Sequence, residues 1–242
     1  MDVLDRMIDT MQHAWRALAR HEAHWVERDG IGVLVTPTVP ERSIVNSVIY
    51  KVGSDITAAY DWLEQQFGAV EAWTVWVPDG DRATAGFLES RGHKLDASPA
   101  AMVLNLRGWQ PPVPLADARP ALVEELARIN DAAYPWGDGS LERAILGSAY
   151  DDIEFRLYIT QDASVLGIDD CAGDAGVIFV ATLPEARGRG LATSLLAAAL
   201  VEARDRGCDI STLQATAAGE PVYARLGYER IGAFELWEKR AA

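Results

Sequence analysis

Gly176-Val177-Ile178-Phe179-Val180-Ala181-Thr182-Leu183 runs directly into Pro184-Glu185-Ala186-Arg187-Gly188-Arg189-Gly190-Leu191-Ala192-Thr193-Ser194, and then into the apolar stretch Leu195 to Ala203. The first stretch is an apolar run rich in β-branched residues, the second a glycine turn, the third a helix. Polar residues arrive only at Glu202 and Arg204 to Arg206, before Gly207, a helix-ending signal. So apolar a helix must pack on a sheet. The order strand, glycine turn, helix is an anion site. Glycine lets the backbone approach a ligand, while the unpaired amides of the first helical turn and the positive end of the dipole attract phosphate. Arg187 and Arg189 add positive charge, and Thr193 and Ser194 can donate hydroxyl hydrogen bonds.

Spacing separates the anion loops that share this plan. A P-loop requires Lys followed by Ser or Thr after its second glycine, and no such Lys is present. A dinucleotide loop requires G-x-G-x-x-G, but after Gly188 and Gly190 the third glycine position holds Thr193. What remains is R-x-x-G-x-[GA], met by Arg187, Gly190 and Ala192. This resembles the pyrophosphate-binding motif of the GNAT N-acetyltransferase superfamily. Further along, Tyr223-Ala224-Arg225-Leu226-Gly227-Tyr228 resembles the superfamily's segment bearing its usual general acid. The resemblance covers residues 115–240 in order. One departure is Thr216, seven residues before Tyr223, where family members often carry Asn.

The resemblance implies an α/β fold and an acetyl-CoA-dependent N-acetyltransferase that moves the acetyl group to an amine by direct attack, through a tetrahedral intermediate and without a metal. It implies that the backbone amide of Val180 meets the thioester carbonyl, and that Val180, Ala181 and Thr182 run beside the pantetheine. Arg187, Gly188, Arg189, Gly190, Leu191, Ala192 and Thr193 would hold the pyrophosphate, with Thr216 and Tyr223 completing the coenzyme site. Acyl transfer needs a neutral amine, a stabilised oxyanion and a proton for the thiolate. The Tyr223 phenol, ordinarily near pKa ~10, is protonated at neutral pH and serves as general acid in this reading; a core tyrosine is the plainer alternative.

No histidine base is at hand in the second half, since His13, His21, His24 and His93 all precede residue 107. A carboxylate acting through water is the expected base, and Asp169, Asp170 and Glu220 are the candidates. Asp170, Glu220 and Trp136 are the expected acceptor contacts, with Trp136 in Tyr134-Pro135-Trp136-Gly137 either stacking on the acceptor or closing the core. Asp151, Asp152 and Glu154 form an acidic run able to meet an ammonium group. His21-Glu22-Ala23-His24 lacks the four-residue histidine spacing of a helical zinc site and reads as a solvated helix end. Trp73 and Trp76 read as core rather than as a base-stacking platform.

The remaining sequence sets bounds on these expectations. Its 242 residues exceed one average domain, and 22 Lys+Arg against 36 Asp+Glu leave a net charge of −14. So acidic a surface disfavours nucleic-acid phosphates and anionic membranes. A small amine or a protein N-terminus is the expected partner, acting on a monomer or homodimer. No run approaches a membrane span and the N-terminus is acidic, so a cytoplasmic protein is expected. Cys171 and Cys208 read as buried thiols.

Pro111, Pro112, Pro114 and Pro120 mark a linker over 107–120. On either side the pattern is alike. Helices are expected at 2–20 and 55–67 with strands at 31–36, 45–51, 72–77 and 100–106. Beyond the linker, helices are expected at 118–133, 191–206 and 220–226, with strands at 155–160, 163–169, 176–183, 209–214 and 228–238. Residues 72–77 correspond to 209–214, and Leu88 to Gly92 to Tyr223 to Gly227, as in a diverged tandem duplication. The expected plan is therefore two GNAT-like domains, each a mixed, mostly antiparallel sheet flanked by helices. Residues 1–106 would be a degenerate copy without the coenzyme motif, and 113–242 the catalytic one. In the first copy the matching helix begins near Gly53-Ser54-Asp55, with an aspartate where a pyrophosphate would lie, and Leu88 replaces Tyr223. A rival of another class is an acyl-CoA-binding sensor or interaction module without turnover.

Overall fold

A computed structural model describes residues 2–19, 23–134, 138–146 and 155–241. The first half contains α1 (Val3–Ala17), β1 (His24–Arg28), β2 (Ile31–Val35), β3 (Ser47–Tyr50), α2 (Ile56–Gln66), β4 (Ala72–Pro78), α3 (Arg82–Ser90), β5 (Lys94–Ala97) and β6 (Ala100–Asn105). The second contains β7 (Arg119–Pro120), α4 (Val123–Ala133), α5 (Ser140–Leu146), β8 (Phe155–Thr160), β9 (Ser164–Cys171) and β10 (Asp174–Thr182), then α6 (Leu191–Arg206), β11 (Ile210–Ala215), α7 (Glu220–Ala224) and β12 (Glu229–Arg240). The helix expected from 118 starts at Val123, because Arg119 and Pro120 pair instead with Ile159 and Tyr158 of β8.

All the described strands form one mixed sheet in the order β1-β2-β3-β4-β12-β6-β11-β10-β9-β8-β7, with β5 pairing β12. Two neighbouring pairs are parallel, β3 with β4 and β10 with β11, one in each half. The other pairings are antiparallel. The α/β fold with a mixed, mostly antiparallel sheet flanked by helices is therefore observed.

The halves trade strands at their junction. β6, which the sequence reading placed at the close of the first half, pairs with β11 of the second. In return, residues 234–240 of β12 pair with β4 of the first half. The Pro-rich stretch 107–120 connects the halves along the chain, but the sheet runs across that division.

Alternation along the strands sends side chains to two cores. Leu157, Ile159 and Val165 pack with α1 and α4, whereas Tyr158, Leu166 and Ile168 pack with α6 on the other face. Helix α1 repeats Met7, Ile8, Met11, Ala14, Trp15 and Leu18 at helical spacing, and this stripe is buried across the junction. Each such side chain contributes roughly 1.5–3 kcal/mol on leaving water. Its polar edge is tied to the second half: Arg6 to Asp209 (2.5 Å), Thr10 to Asp174 (2.8 Å) and His13 to Asp169 (2.8 Å).

Helix α6 is apolar on most sides because both sides are covered. Leu195, Leu196, Ala197 and Leu200 are fully buried, and Trp109, Val113, Ala116 and Ala118 of the connecting segment pack on the same core. The Ala116 amide donates to the Ser194 carbonyl (3.1 Å) and the Arg204 guanidinium to the Trp109 carbonyl (2.9 Å). The segment is thus docked rather than a free tether. Gly207, in the left-handed region at φ +110°, ends α6 as expected.

Candidate active site

The parallel pair β10 and β11 is in register only over Asp174–Gly176 and Ile210–Thr212. Beyond it the strands part, and a cleft of about 550 Å³ opens between them at the start of α6. On the other side, β10 keeps register with β9 up to Ile178 and resumes at Ala181, so that Phe179 and Val180 together oppose Leu166. This is a β-bulge, with Phe179 at φ +51°. Phe179, Val180, Ala181 and Thr182 form one wall.

The floor is the glycine turn. Gly188 and Gly190 both have φ +76°, and a Cβ added at either would meet nothing within 4 Å, so backbone conformation rather than crowding selects glycine there. Helix α6 begins at Gly190 with no side-chain cap on its first-turn amides. Leu191, Ala192 and Thr193 line the cleft beside Arg187, Gly188 and Gly190.

The arginines brace the turn. Arg187 donates to the carbonyls of Thr182 (3.3 Å) and Ala133 (2.5 Å), tying the loop to β10 and to the end of α4. Arg189 donates to Gln161 (2.6 Å) and is not among the described lining residues. The Ser194 hydroxyl turns back on its own helix, to the carbonyls of Gly190 and Leu191, both at 3.1 Å. Thr182 shares a hydrogen bond with Ser164 (2.9 Å).

The opposite wall runs from Gln214 to Tyr223. Thr216 lies in it, with its hydroxyl accepting from the Gly219 amide (3.2 Å) and stabilising the turn before α7. A Cβ at Gly219 would come within 3.0 Å of the Tyr223 ring, so the glycine lets that ring lie flat on the turn. Tyr223 is half-buried and stacks edge-on to Tyr228, with ring centroids 6.0 Å apart. Burial, with a smaller contribution from neighbouring Tyr134, pushes the Tyr223 phenol well above its ordinary value, so it stays protonated at neutral pH. Tyr134, at the end of α4, also lines the cleft and is itself raised by burial.

Of the expected coenzyme contacts, Val180, Ala181, Thr182, Arg187, Gly188, Gly190, Leu191, Ala192, Thr193, Thr216 and Tyr223 converge on this cleft, and Arg189 does not. Two expected acceptor contacts lie away from this cleft. Asp170 pairs with Ala175, toward the closed end of β10, and is held bidentately by Arg206 (2.5 and 2.9 Å). Glu220 is paired with Arg230 at 3.6 Å and does not line the cleft. The candidate base Asp169 is fully buried against His13, away from it. Trp136, Asp151, Asp152, Glu154, His21 and Glu22 lie outside the described residues.

Sequence reasoning missed Phe179, Gln214, Gly219, Val222 and Arg225 as lining residues and named Tyr134 only as part of a turn. Proximity to the recognised motifs was the available signal: Phe179 and Val222 adjoin Val180 and Tyr223, and Arg225 lies within the Tyr223–Tyr228 segment. His93 is a core residue. Its Nδ1 donates to the Trp237 carbonyl (3.0 Å), its Nε2 accepts from Tyr60 (2.9 Å), and burial lowers it to about 4, keeping it neutral. Cys171 is half-buried and Cys208 buried; desolvation pushes these free thiols up to about 11 and about 12. Among the described residues no group of His, Cys, Asp and Glu could hold a metal ion. Nor is any described helix long and apolar enough to cross a membrane.

The family model for the acetyltransferase (GNAT) domain matches residues 157–231. No curated protein matches the sequence. A GCN5-related N-acetyltransferase from Kribbella flavida superposes over 100% of this chain and 97% of its own, with TM-score 0.70 at 14% identity. A GCN5-related N-acetyltransferase from Sphaerobacter thermophilus covers 98% of this chain and 91% of its own, with TM-score 0.61 at 18% identity. A tandem GNAT protein from the clavulanic acid biosynthesis pathway covers 88% of this chain and 78% of its own, with TM-score 0.57 at 13% identity. Residues 157–231, which supply the bulged strand, the glycine turn and Tyr223, thus match the GNAT acetyltransferase family model, in a chain whose fold is similar along its whole length to that of GCN5-related N-acetyltransferases.

Proposed function

We propose that the protein transfers an acetyl group from acetyl-CoA to the amine of a small molecule or a protein N-terminus. The observation that carries this reading is the uncapped start of α6, two left-handed glycines before it, opening into the cleft that β10 and Tyr223 also line. Those features fit a diphosphate: first-turn amides need an acceptor, and no acidic side chain lines the floor among the described residues. Acetyl-CoA, when bound, supplies an acyl group activated as a thioester. The amides from Gly188 to Thr193 bind its diphosphate, the edge of β10 orients the pantetheine, and the Val180 amide faces the carbonyl oxygen. Attack by the amine would form the N–C bond first, and collapse of the tetrahedral adduct would break the C–S bond. The nitrogen's proton would leave to solvent, the thiolate would take one from Tyr223 Oη, and solvent would reprotonate Tyr223, so the proton count is unchanged. The net charge of −14 favours a cationic acceptor over an anionic one.

The test is thiol release from acetyl-CoA across an amine panel, run beside calorimetric titration of the coenzyme. The expected result is tight binding, with release on at least one amine. Absence of coenzyme binding would overturn the reading. A second reading, a non-catalytic acyl-CoA sensor, is favoured by the lack of any Asp, Glu or His among the described lining residues. It predicts binding without release on every amine. In either reading the first half, whose α2 starts on a capping aspartate, binds no coenzyme and supports the second.

A further inference from the structure

Asn130 is fully buried in α4, four residues from its end in Tyr134, and does nothing for the helix that alanine would not do better. Its Nδ2 donates to two carbonyls, Leu126 O at 2.9 Å in its own helix and Phe179 O at 3.1 Å in the bulge of β10. Both partners are obligate acceptors, so the amide nitrogen must face them. Among the described residues the Oδ1 atom is buried without a hydrogen-bond partner. An unsatisfied buried acceptor is destabilising, so an amide at this position points to a requirement for its donor.

Phe179 sits at φ +51°, a conformation that disfavours a residue with a side chain by roughly 1–2 kcal/mol. The bulge places Phe179 and Val180 outside the β9 register, so ladder pairing does not fix the plane of the peptide between them. That peptide is trans. Its carbonyl and its N–H, which belongs to Val180, therefore point in opposite directions. Anchoring the Phe179 carbonyl on α4 turns the Val180 N–H away from α4.

We propose that Asn130 is a positioning residue, which aims the Val180 amide at the thioester carbonyl by clamping the Phe179 carbonyl from behind. The inference rests on the acetyl-CoA reading above. It adds a residue that touches neither coenzyme nor acceptor and lies outside the motifs that carry the resemblance. Helix α4 thereby sets the electrostatics of the acyl site while the glycine turn independently sets coenzyme affinity.

The experiment is isotope-edited infrared spectroscopy of acetyl-CoA carrying a ¹³C carbonyl, bound to the full-length protein and to Asn130→Leu. In the wild type the carbonyl stretch falls below its value for free acetyl-CoA, reporting a hydrogen bond. In Asn130→Leu it returns toward the free value, kcat falls by about 10- to 100-fold, and coenzyme Kd stays within about threefold. If the leucine variant does not fold, Asn130→Ala removes the same donors without added bulk and is read in the same way. An equal carbonyl shift and kcat in wild type and folded variant would overturn the role of Asn130 while leaving the acetyl-CoA reading intact. Failure of the wild type to bind acetyl-CoA would overturn both.

Discussion

Helices α2 and α6 occupy matching places, each following the first strand of a parallel pair, and they begin in opposite ways. Helix α6 starts at Gly190, whose φ of +76° leaves the first-turn amides facing the cleft with no side chain across them. Helix α2 starts at Asp55, whose carboxylate accepts from the Ala58 amide at 2.9 Å. The gap between strands differs as well. Where β10 and β11 enclose a cleft of about 550 Å³, β3 keeps an unbroken register with β2 from Ser47 to Tyr50, with no counterpart of the bulge at Phe179, and at the end of the pair away from α2 Trp76 Nε1 donates to Ser47 at 3.2 Å. Just before β3, buried Asn46 donates to the carbonyls of Val39 and Arg42, both at 2.9 Å. Leu88, fully buried, is the residue that the expected duplication aligns with Tyr223. Under the proposed reading, the side-chain cap on α2 and the unbulged β3 are what separate a supporting half from a binding one.

The proposed supporting role of the first half is tied to the exchanged strands, and the largest predicted effect follows from them. Residues 113–242 expressed alone would lack β6 beside β11 and β4 beside the end of β12, exposing unpaired backbone along both. This fragment should show no cooperative unfolding by circular dichroism, and co-expression with 1–112 should restore it. A fragment that folds by itself would show that the first half is dispensable to the second.

That interdependence was not legible in the sequence, and the reason is physical. Residues 100–106 read correctly as a strand because alternation is local, but Met102 and Leu104 would suit either neighbour, and pairing is decided by tertiary packing. Gly188, Gly190 and Tyr223 were legible because each acts through a few adjacent residues. The pairing of Asp170 with Arg206, 36 residues away, carried no local signal, because only the fold brings the two together. Asn130 carried no signal at all, since its function depends on a carbonyl 49 residues distant.

Gly190→Asp imports the first half's device into the second. The carboxylate can cap α6, and aspartate tolerates the left-handed region better than most residues, so stability changes little. A charge placed against a diphosphate should weaken coenzyme binding by about 100-fold or more, about 2.7 kcal/mol by calorimetry. Unchanged affinity would locate the diphosphate elsewhere. Tyr223→Phe removes the other feature that separates the halves. Coenzyme affinity should hold while kcat falls by roughly 100-fold, the scale of a lost general acid. Unchanged turnover on a true acceptor would assign Tyr223 to packing alone.

The seam between the halves should be visible in the pH dependence of stability. Asp174 is buried beneath α1, accepting from Thr10 (2.8 Å) and Thr212 (2.6 Å), and burial pushes its carboxyl up to about 7 from an ordinary 3.8. Between those values the native state holds a proton that the unfolded chain has released, so raising the pH favours unfolding. The wild-type Tm should therefore fall by a few degrees from pH 4 to pH 7 and level off above. Glu125, held at about 2 chiefly by the Arg119 guanidinium, and Asp138, held at about 2 by hydrogen bonds from Ser140 and then by Arg42, gain their stabilisation mostly below this window. Asp174→Asn should flatten the fall; an identical slope in the variant would assign it to another group.

Asp55→Gly gives the smallest effect and the sharpest reading of the comparison. Replacing a capping aspartate by glycine should lower stability by only about a few tenths of a kcal/mol. It also frees the first-turn amides of α2 and removes the negative charge that opposes a phosphate. If charge alone kept the first half empty, the variant would acquire a second coenzyme site, seen as a change in calorimetric stoichiometry from one to two. The expected stoichiometry stays at one, because β3 keeps an unbroken register with β2 and has no bulge to open a cleft beside α2. Release of a capping group exposes amides, but in the proposed reading a diphosphate needs the parted strands as well, which β10, kinked at Phe179, provides and β3 does not.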